Sequence, residues 1–219
     1  RNTEFKAYLG ILLTATGLIM LNLMYNLGYE PAQSLRYASF QVASIATTGF
    51  VSADFDAWPN FSKAVLLLLM FTGGCAGSTA GGIKISRIVL LVKMAGVSLW
   101  QQLHPHAMAE VRMNGVHIAE ETLHRAAQFF FVYMLFVAFW AMLLMSEGEL
   151  TMFDAIGLSV TTMGSVGPGF GVAGATCTYS GLSDFTKTVL CLSMLLGRLE
   201  MFTFLVMLRP AFWRRQKGW

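Results

Sequence analysis

The sequence predicts an all-α integral membrane protein built from two tandem repeats, each a helix, a re-entrant half-helix, a short Gly-centred loop and a second helix. Three observations predict it. Hydrophobic residues make up 55% of the chain and charged residues 12%, too little polar surface to cover a water-soluble globule of 219 residues. Four apolar stretches approach the roughly 20 residues that a bilayer crossing needs. Finally, Phe61-Ser62-Lys63-Ala64-Val65-Leu66 recurs 124 residues later as Phe185-Thr186-Lys187-Thr188-Val189-Leu190, and each copy follows an apolar stretch and a Gly-centred segment.

The four expected spans are Ala7 to Tyr25, Val65 to Leu99 with a Gly-rich interruption, Ala127 to Met145, and Val189 to Leu208. The first is too long for the apolar core of a signal peptide and lacks a small-residue cleavage site. Basic residues set the orientation, since they are retained on the cytoplasmic side. Arg1 and Lys6 precede the first span; Lys84, Arg87, Lys93, Arg112 and Arg125 flank or fill the central connection; Arg209, Arg214, Arg215 and Lys217 follow the last. Four crossings put all of them on one side, with Glu30, Asp54, Asp56, Glu147, Glu149 and Asp184 opposite. The chain therefore divides into a membrane repeat over residues 1–99, a cytoplasmic connection over 100–122 and a second repeat with a basic tail over 123–219, both termini being cytoplasmic. The net charge of +3 follows from this bias and calls for no nucleic-acid partner.

Between the first two spans, Ser34 to Ala46 is a run of small, apolar and hydroxyl residues. As a helix it rises about 20 Å, which carries the chain partway into a bilayer but not across it. Its counterpart is Phe153 to Gly164, with Ser159, Thr161 and Thr162. Each half-helix leads into a Gly-centred segment, Thr47-Thr48-Gly49-Phe50 in the first repeat and Ser165-Val166-Gly167-Pro168 in the second. Non-helical backbone at membrane depth must be buried in protein or line a watery cavity, because an unpaired amide in hydrocarbon costs several kcal/mol. Inward carbonyls can replace the hydration shell of a small monovalent cation, and glycine permits the φ > 0 turn that aligns them. The backbones of Thr47 to Gly49 and Ser165 to Gly167 are thus the candidate ion-binding groups. The hydroxyls of Ser44, Thr47, Thr161, Thr162 and Ser165 are secondary, since such groups often bond a carbonyl one turn back.

The second span carries Gly73, Gly74, Gly77, Gly81 and Gly82 within ten residues. Glycine disfavours a helix interior by roughly 1 kcal/mol relative to alanine, so this density predicts an unwound segment. A phosphate-binding loop would need Lys where Ile83 stands and a preceding strand. Close helix packing through small residues is the other structural reading. At the same offset, Gly73-Gly74 aligns with Gly197-Arg198 in the fourth span. An Arg in an apolar span costs about 2.5 to 3.5 kcal/mol on insertion scales and marks a bundle interior or a water-filled path. Arg198 is expected either to reach the ion path beneath the Gly segments, binding carbonyls freed by the unwound stretch and repelling a cation, or to form a structural ion pair with Glu200 or another helix.

The remaining polar residues are less informative. Cys75, Cys177 and Cys191 have no metal-ligand spacing and read as inert packing residues. His104-Pro105-His106 lacks a third ligand and reads as solvated loop. Asn22 and Gln41 are expected to hydrogen-bond between helices, while Tyr133 and Trp140 read as lipid-facing and packing surface. No paired His and carboxylate, Ser-Lys or paired-Asp constellation lies within the spans, which leaves a membrane enzyme as a remote alternative. A potassium symporter driven by Na⁺ or H⁺ would more naturally place acidic residues at the midplane; Asp154, near the mouth of the second half-helix, is the only obvious candidate.

Three segments resemble the superfamily of bacterial TrkH/KtrB potassium transporters, and more closely its TrkH branch: Ser44-Ile45-Ala46-Thr47-Thr48-Gly49-Phe50, the stretch from Phe71 to Lys84, and Ser165-Val166-Gly167-Pro168-Gly169. The resemblance covers Phe5 to about Trp213. It implies a potassium-channel-like fold in which one Gly from each of four repeats forms a K⁺ filter, and places this chain as the third and fourth repeats, the carboxyl-terminal half. The two missing repeats would come from an amino-terminal half or a second copy. It further implies K⁺ uptake across the bacterial inner membrane, an intramembrane Gly-rich loop that obstructs the path and moves on opening, a homodimer, and a ring of nucleotide-binding TrkA-type subunits on the cytoplasmic face. The stretch Trp100 to Thr122 and the basic tail Arg214 to Lys217 would meet those subunits or anionic lipid headgroups.

Overall fold

A computed structural model of the chain describes residues 2–46, 48–104, 110–199, 201–207 and 210–213. Thr47, Glu200, Pro105 and His106 lie outside the described residues, as do the basic residues Arg1, Arg209, Arg214, Arg215 and Lys217.

The chain begins with a long apolar helix, α1 (Thr3–Leu27), whose start is capped by the Asn2 side chain accepting from the Glu4 amide at 3.0 Å. It stops at Gly28, which takes the left-handed conformation at φ 65°. The half-helix α2 (Pro31–Ile45) opens on a proline at its first position, where the missing N–H costs nothing. It starts three residues earlier than the pattern of small residues indicates, because that proline sets the helical φ. The expected second span is two helices, α3 (Asn60–Phe71) and α4 (Ile85–Leu103), separated by residues 72–84.

The second repeat follows the same order. Helix α5 (Glu120–Met145) is the long apolar helix of this repeat, and the half-helix α6 (Met152–Gly164) is capped by Thr151, whose hydroxyl accepts from the Asp154 amide at 3.3 Å. Helix α7 (Asp184–Arg198) is capped by Ser183. The expected span from Val189 to Leu208 is not one helix: α7 ends at Arg198, Leu199 is outside any helix, and α8 (Met201–Met207) and the single turn α9 (Pro210–Trp213) follow. The break comes directly after Gly197-Arg198, where the Arg side chain is drawn off toward another segment. The connection between repeats contains a two-stranded antiparallel hairpin, β1 (Arg112–Met113) and β2 (Val116–His117), that hydropathy does not reveal. Its Asn114 side chain accepts from the Thr3 amide at 2.8 Å, and the Arg112 carbonyl accepts from Lys93 at 2.6 Å.

Packing inverts the arrangement of a water-soluble protein. Leu13, Leu21, Phe131 and Leu135 on the long helices are exposed, while Ser44, Ser159, Thr161 and Thr162 on the half-helices are buried. Helices α1 and α5, with mean hydropathy of 1.8 and 2.1 over their best windows, are long and apolar enough to cross a membrane. Helix α6 is held between α5 and α7 and touches α3, so it sits at the centre with Met70, Leu158 and Met163 fully buried around it, whereas α2 lies along α1 and against α3 with one face buried, at Ala38, Gln41, Val42 and Ile45, and Leu35 and Phe40 exposed on the other. Asn22 accepts from the Ser62 hydroxyl at 2.8 Å, joining α1 to α3. Gln41, by contrast, is fully buried and its amide has no partner among the described residues. Tyr133 and Trp140 are interior rather than lipid-facing, at 1% and 6% exposure, because α6 packs over that face of α5. Cys177 and Cys191 are exposed and so are not packing residues.

Candidate ion pathway

Each half-helix delivers its chain into a tight turn centred on glycine. In the first repeat the Thr48 and Gly49 amides both return to the Ser44 carbonyl, at 2.7 and 2.9 Å. In the second, the Val166 amide returns to the Thr161 carbonyl at 2.9 Å, and Ser165 adopts the left-handed conformation at φ 52°. Gly49 and Gly167 have φ of 83° and 111°, a region that a residue with a Cβ enters only at a cost of about 1–2 kcal/mol. Those two glycines also face each other. A methyl group on Gly49 would overlap the Val166 carbonyl oxygen, and one on Gly167 would stand 3.9 Å from the Gly49 Cα. The fold thus brings together Thr48, Gly49 and Phe50 from one repeat and Ser165, Val166, Gly167 and Pro168 from the other.

Side chains hold the outgoing strands of both turns. The Ser44 hydroxyl donates to the Phe50 carbonyl, and the Thr161 hydroxyl donates to the Pro168 carbonyl at 2.8 Å. Thr162 behaves as an ordinary helix hydroxyl, bonding Leu158 one turn back at 2.7 Å and meeting Ser193 of α7 at 2.9 Å. Tyr179, which residue type and spacing do not single out, donates its hydroxyl to the Gly167 carbonyl at 2.6 Å. Burial pushes the Tyr179 phenol up to about 12, so it remains a donor throughout the physiological range. Asp154 is engaged at the mouth of α6, where its carboxylate accepts from the Thr151 hydroxyl at 2.7 Å. That is a helix-capping role near the start of the half-helix.

The Gly-rich stretch 72–84 forms a closed loop against the end of α6. Its ends are zipped by Gly73 N–H to Ile83 O at 2.8 Å and Ile83 N–H to Phe71 O at 3.0 Å. Methyl groups at Gly73 and Gly81 would overlap the Gly81 and Gly164 carbonyl oxygens respectively, so the loop lies backbone to backbone with the entry to the second Gly segment. Gly197 of α7 makes the same close approach to the Met163 carbonyl oxygen.

Three charged side chains hold this loop. The Arg198 guanidinium donates to the Thr79 carbonyl, so it binds backbone that the unwound segment has released. Lys84 reaches back to the Ser78 and Ala80 carbonyls at 2.6 and 2.7 Å. Glu4, buried at the start of α1, accepts from the Ala76 amide at 2.5 Å. The Glu200 alternative for Arg198 lies outside the described residues. A cavity of about 340 Å³ opens beside the loop, lined by Thr79, Arg87, Phe129, Tyr133, Arg198 and Met201 among others, with the Arg87 guanidinium 3.8 Å above the Phe129 ring.

A family model for cation transport proteins of the TrkH type matches residues 11–215. The chain belongs to the TrkH family. Its relatives include the Trk system potassium uptake protein TrkH of Halomonas elongata, 37% identical over 94% of this chain and 43% of the relative, and that of Escherichia coli, 36% identical over 98% and 44%. The Escherichia coli protein TrkG is 32% identical over 98% of the chain and 44% of its own length. Among solved structures, the crystal structure of the potassium transporter TrkH from Vibrio parahaemolyticus superimposes with a TM-score of 0.88 at 34% identity, covering 97% of this chain and 45% of that one. The chain thus spans less than half the length of the TrkH relatives it matches. TrkH is a family of membrane transporters and not of enzymes, and the helical fold expected from the repeat is the TrkH fold.

Proposed function

We propose that this chain is the carboxyl-terminal half of a potassium uptake protein, and that K⁺ is its transported substrate. The ion passes alongside the two adjoining Gly segments, where backbone oxygens of Thr48 and Gly49, with Thr47, and of Ser165, Val166 and Gly167 replace its water shell. The observation that carries this reading is the direct apposition of Gly49 and Gly167, two left-handed turns at the ends of two half-helices. The half-helices aim their negative carboxyl ends at the same place. Two segments wall only part of an ion path, so two further repeats, from an amino-terminal half or a second copy, complete it.

The loop containing Gly73, Gly74, Gly77, Gly81 and Gly82 is the gate. It presses on Gly164 at the inner end of the second Gly segment and is held there by Arg198, whose charge opposes a cation at that depth. Opening requires the Arg198 to Thr79 and Glu4 to Ala76 contacts to part. The protein sits in the bacterial inner membrane, with both ends of this chain and the hairpin of residues 112–117 in the cytoplasm. There a TrkA-type nucleotide-binding ring, or anionic lipid, meets a homodimer of the complete protein.

Flux in proteoliposomes reconstituted with the complete transporter tests this. K⁺ should flow down its gradient faster than Na⁺, with no dependence on a second ion. Uphill K⁺ movement driven by a Na⁺ or H⁺ gradient would replace the channel-like reading with a symporter.

A further inference from the structure

The outer loop of the first repeat is built onto the filter-bearing segment of the second. In the 3₁₀ turn Phe55–Ala57, fixed by the Asp54 carboxylate accepting from the Asp56 amide at 3.1 Å, two consecutive side chains reach across the repeat boundary. The Asp56 carboxylate accepts from the Gly171 amide at 2.8 Å, 115 residues away in sequence. Its other oxygen lies 3.6 Å from the Lys63 ammonium at the start of α3, and both side chains are largely buried, at 25% and 20% exposure. A methyl group at Gly174 would overlap the same carboxylate. Phe55 is fully buried and meets the fully buried Phe170 edge to face, with ring centres 5.6 Å apart. Phe153 of α6 closes on Phe170 from another side at 5.3 Å.

We infer that Asp56, seated by Phe55, is a positioning residue for ion selection, bracing the second Gly segment from the first repeat. The inference rests on the filter reading above. Gly171 lies four residues beyond Gly167, and between them the chain is pinned by Thr161 on Pro168 and by the Gly169 amide on the Ala173 carbonyl at 2.8 Å. A displacement of Gly171 is therefore transmitted to Gly167 through a short, constrained segment. Filter oxygens hold an ion productively only within about 0.5 Å of their best positions, so a brace between adjoining walls fixes their spacing. A carboxylate suits this task, because charge-assisted bonds to backbone N–H are shorter and stronger than neutral ones. Lys63 holds the carboxylate from behind and keeps it aimed.

The test is the K⁺ to Na⁺ flux ratio of the complete transporter in proteoliposomes, read with Asp56→Ala, Asp56→Glu, Asp56→Asn and Phe55→Leu beside Gly167→Ser. Asp56→Ala should lower the ratio about tenfold, the scale of one lost charge-assisted bond. Asp56→Asn keeps an acceptor oxygen and should restore most of the selectivity. Asp56→Glu, which pushes Gly171 outward, and Phe55→Leu should each lower the ratio a few-fold with total flux retained, and they carry the test if the alanine variant does not assemble. If Gly167→Ser changes the ratio while Asp56→Glu and Phe55→Leu leave it at the wild-type value, the brace is wrong and the filter stands. If Gly167→Ser leaves it unchanged too, filter and brace fall together.

Discussion

The two repeats share a plan and differ where each touches the other. In the first, the helix after the Gly segment ends at Phe71 and gives way to the loop of residues 72–84; in the second, it runs on to Arg198 before breaking. The first repeat thus supplies the loop backbone and the second supplies the cation that grips it, through Arg198 to Thr79. The Gly segments differ in the opposite sense. The second is held by Thr161, Tyr179 and Asp56, the first by Ser44 and the turn of α2 itself. A duplicated unit can keep its ion-facing backbone the same in both copies while its side chains specialise, because carbonyl groups are common to all residues and contacts between copies are not.

The largest effect should come from breaking what the repeats share. Gly49→Val places a β-branched side chain at φ 83° and into the Val166 carbonyl. The left-handed conformation alone is disfavoured by about 1–2 kcal/mol, so K⁺ uptake should fall more than about tenfold, and K⁺ over Na⁺ preference should be lost. Uptake in potassium-starved cells, with membrane insertion checked by immunoblot, reads it.

Next come the groups that differ. Arg198→Ala removes one charge-assisted bond from the loop, worth about 1.5–3 kcal/mol, and should raise flux in the closed condition by roughly ten- to a hundredfold. Flux no higher than wild type would sink the barrier role. Glu4→Ala, acting on Ala76 at the far side of the same loop, should raise closed-state flux less, by a few-fold, and the double variant should be less than additive if both hold one closed state. Patch recordings of single proteoliposomes separate the two.

Tyr179→Phe tests the asymmetric support of the second Gly segment. A neutral hydrogen bond is worth about 0.5–1.5 kcal/mol, so the half-saturating K⁺ concentration should rise a few-fold with maximal flux retained. The smallest effect is one of stability. The Glu147 carboxyl titrates below its ordinary range because the Ser183 and Thr186 hydroxyls donate to its ionised form, at 2.5 and 2.7 Å. A depressed folded value gives stability that is present above the unfolded pKa and lost as pH falls through the folded one. Thermal melts in detergent should therefore soften below about pH 4.5, and Glu147→Gln should flatten that dependence.

Much of the candidate pathway is legible in the sequence because it is written twice or written densely. The repeated Phe-Ser/Thr-Lys segment marks the two units, glycine crowding at residues 73–82 foretells the break after Phe71, and a lone Arg in an apolar helix draws attention to residue 198. Tyr179, Asp56 and Glu4 are not legible, since their partners lie 12, 115 and 72 residues away and depend on how the repeats dock. Glu4 alone leaves a trace: it is an acidic residue in the first turn of a span whose neighbours, Arg1 and Lys6, are basic. The break after Arg198 is missed because a single Gly197 falls within what a helix tolerates at roughly 1 kcal/mol, whereas five glycines in ten residues do not.

Anomalous scattering from thallium bound to the complete transporter in place of K⁺ tests the central claim most directly. The account predicts a peak beside the adjoining Gly49 and Gly167 segments, on the far side of Gly164 from the loop that Arg198 holds. A transport-competent protein whose thallium peaks all lie away from those two glycines would contradict it.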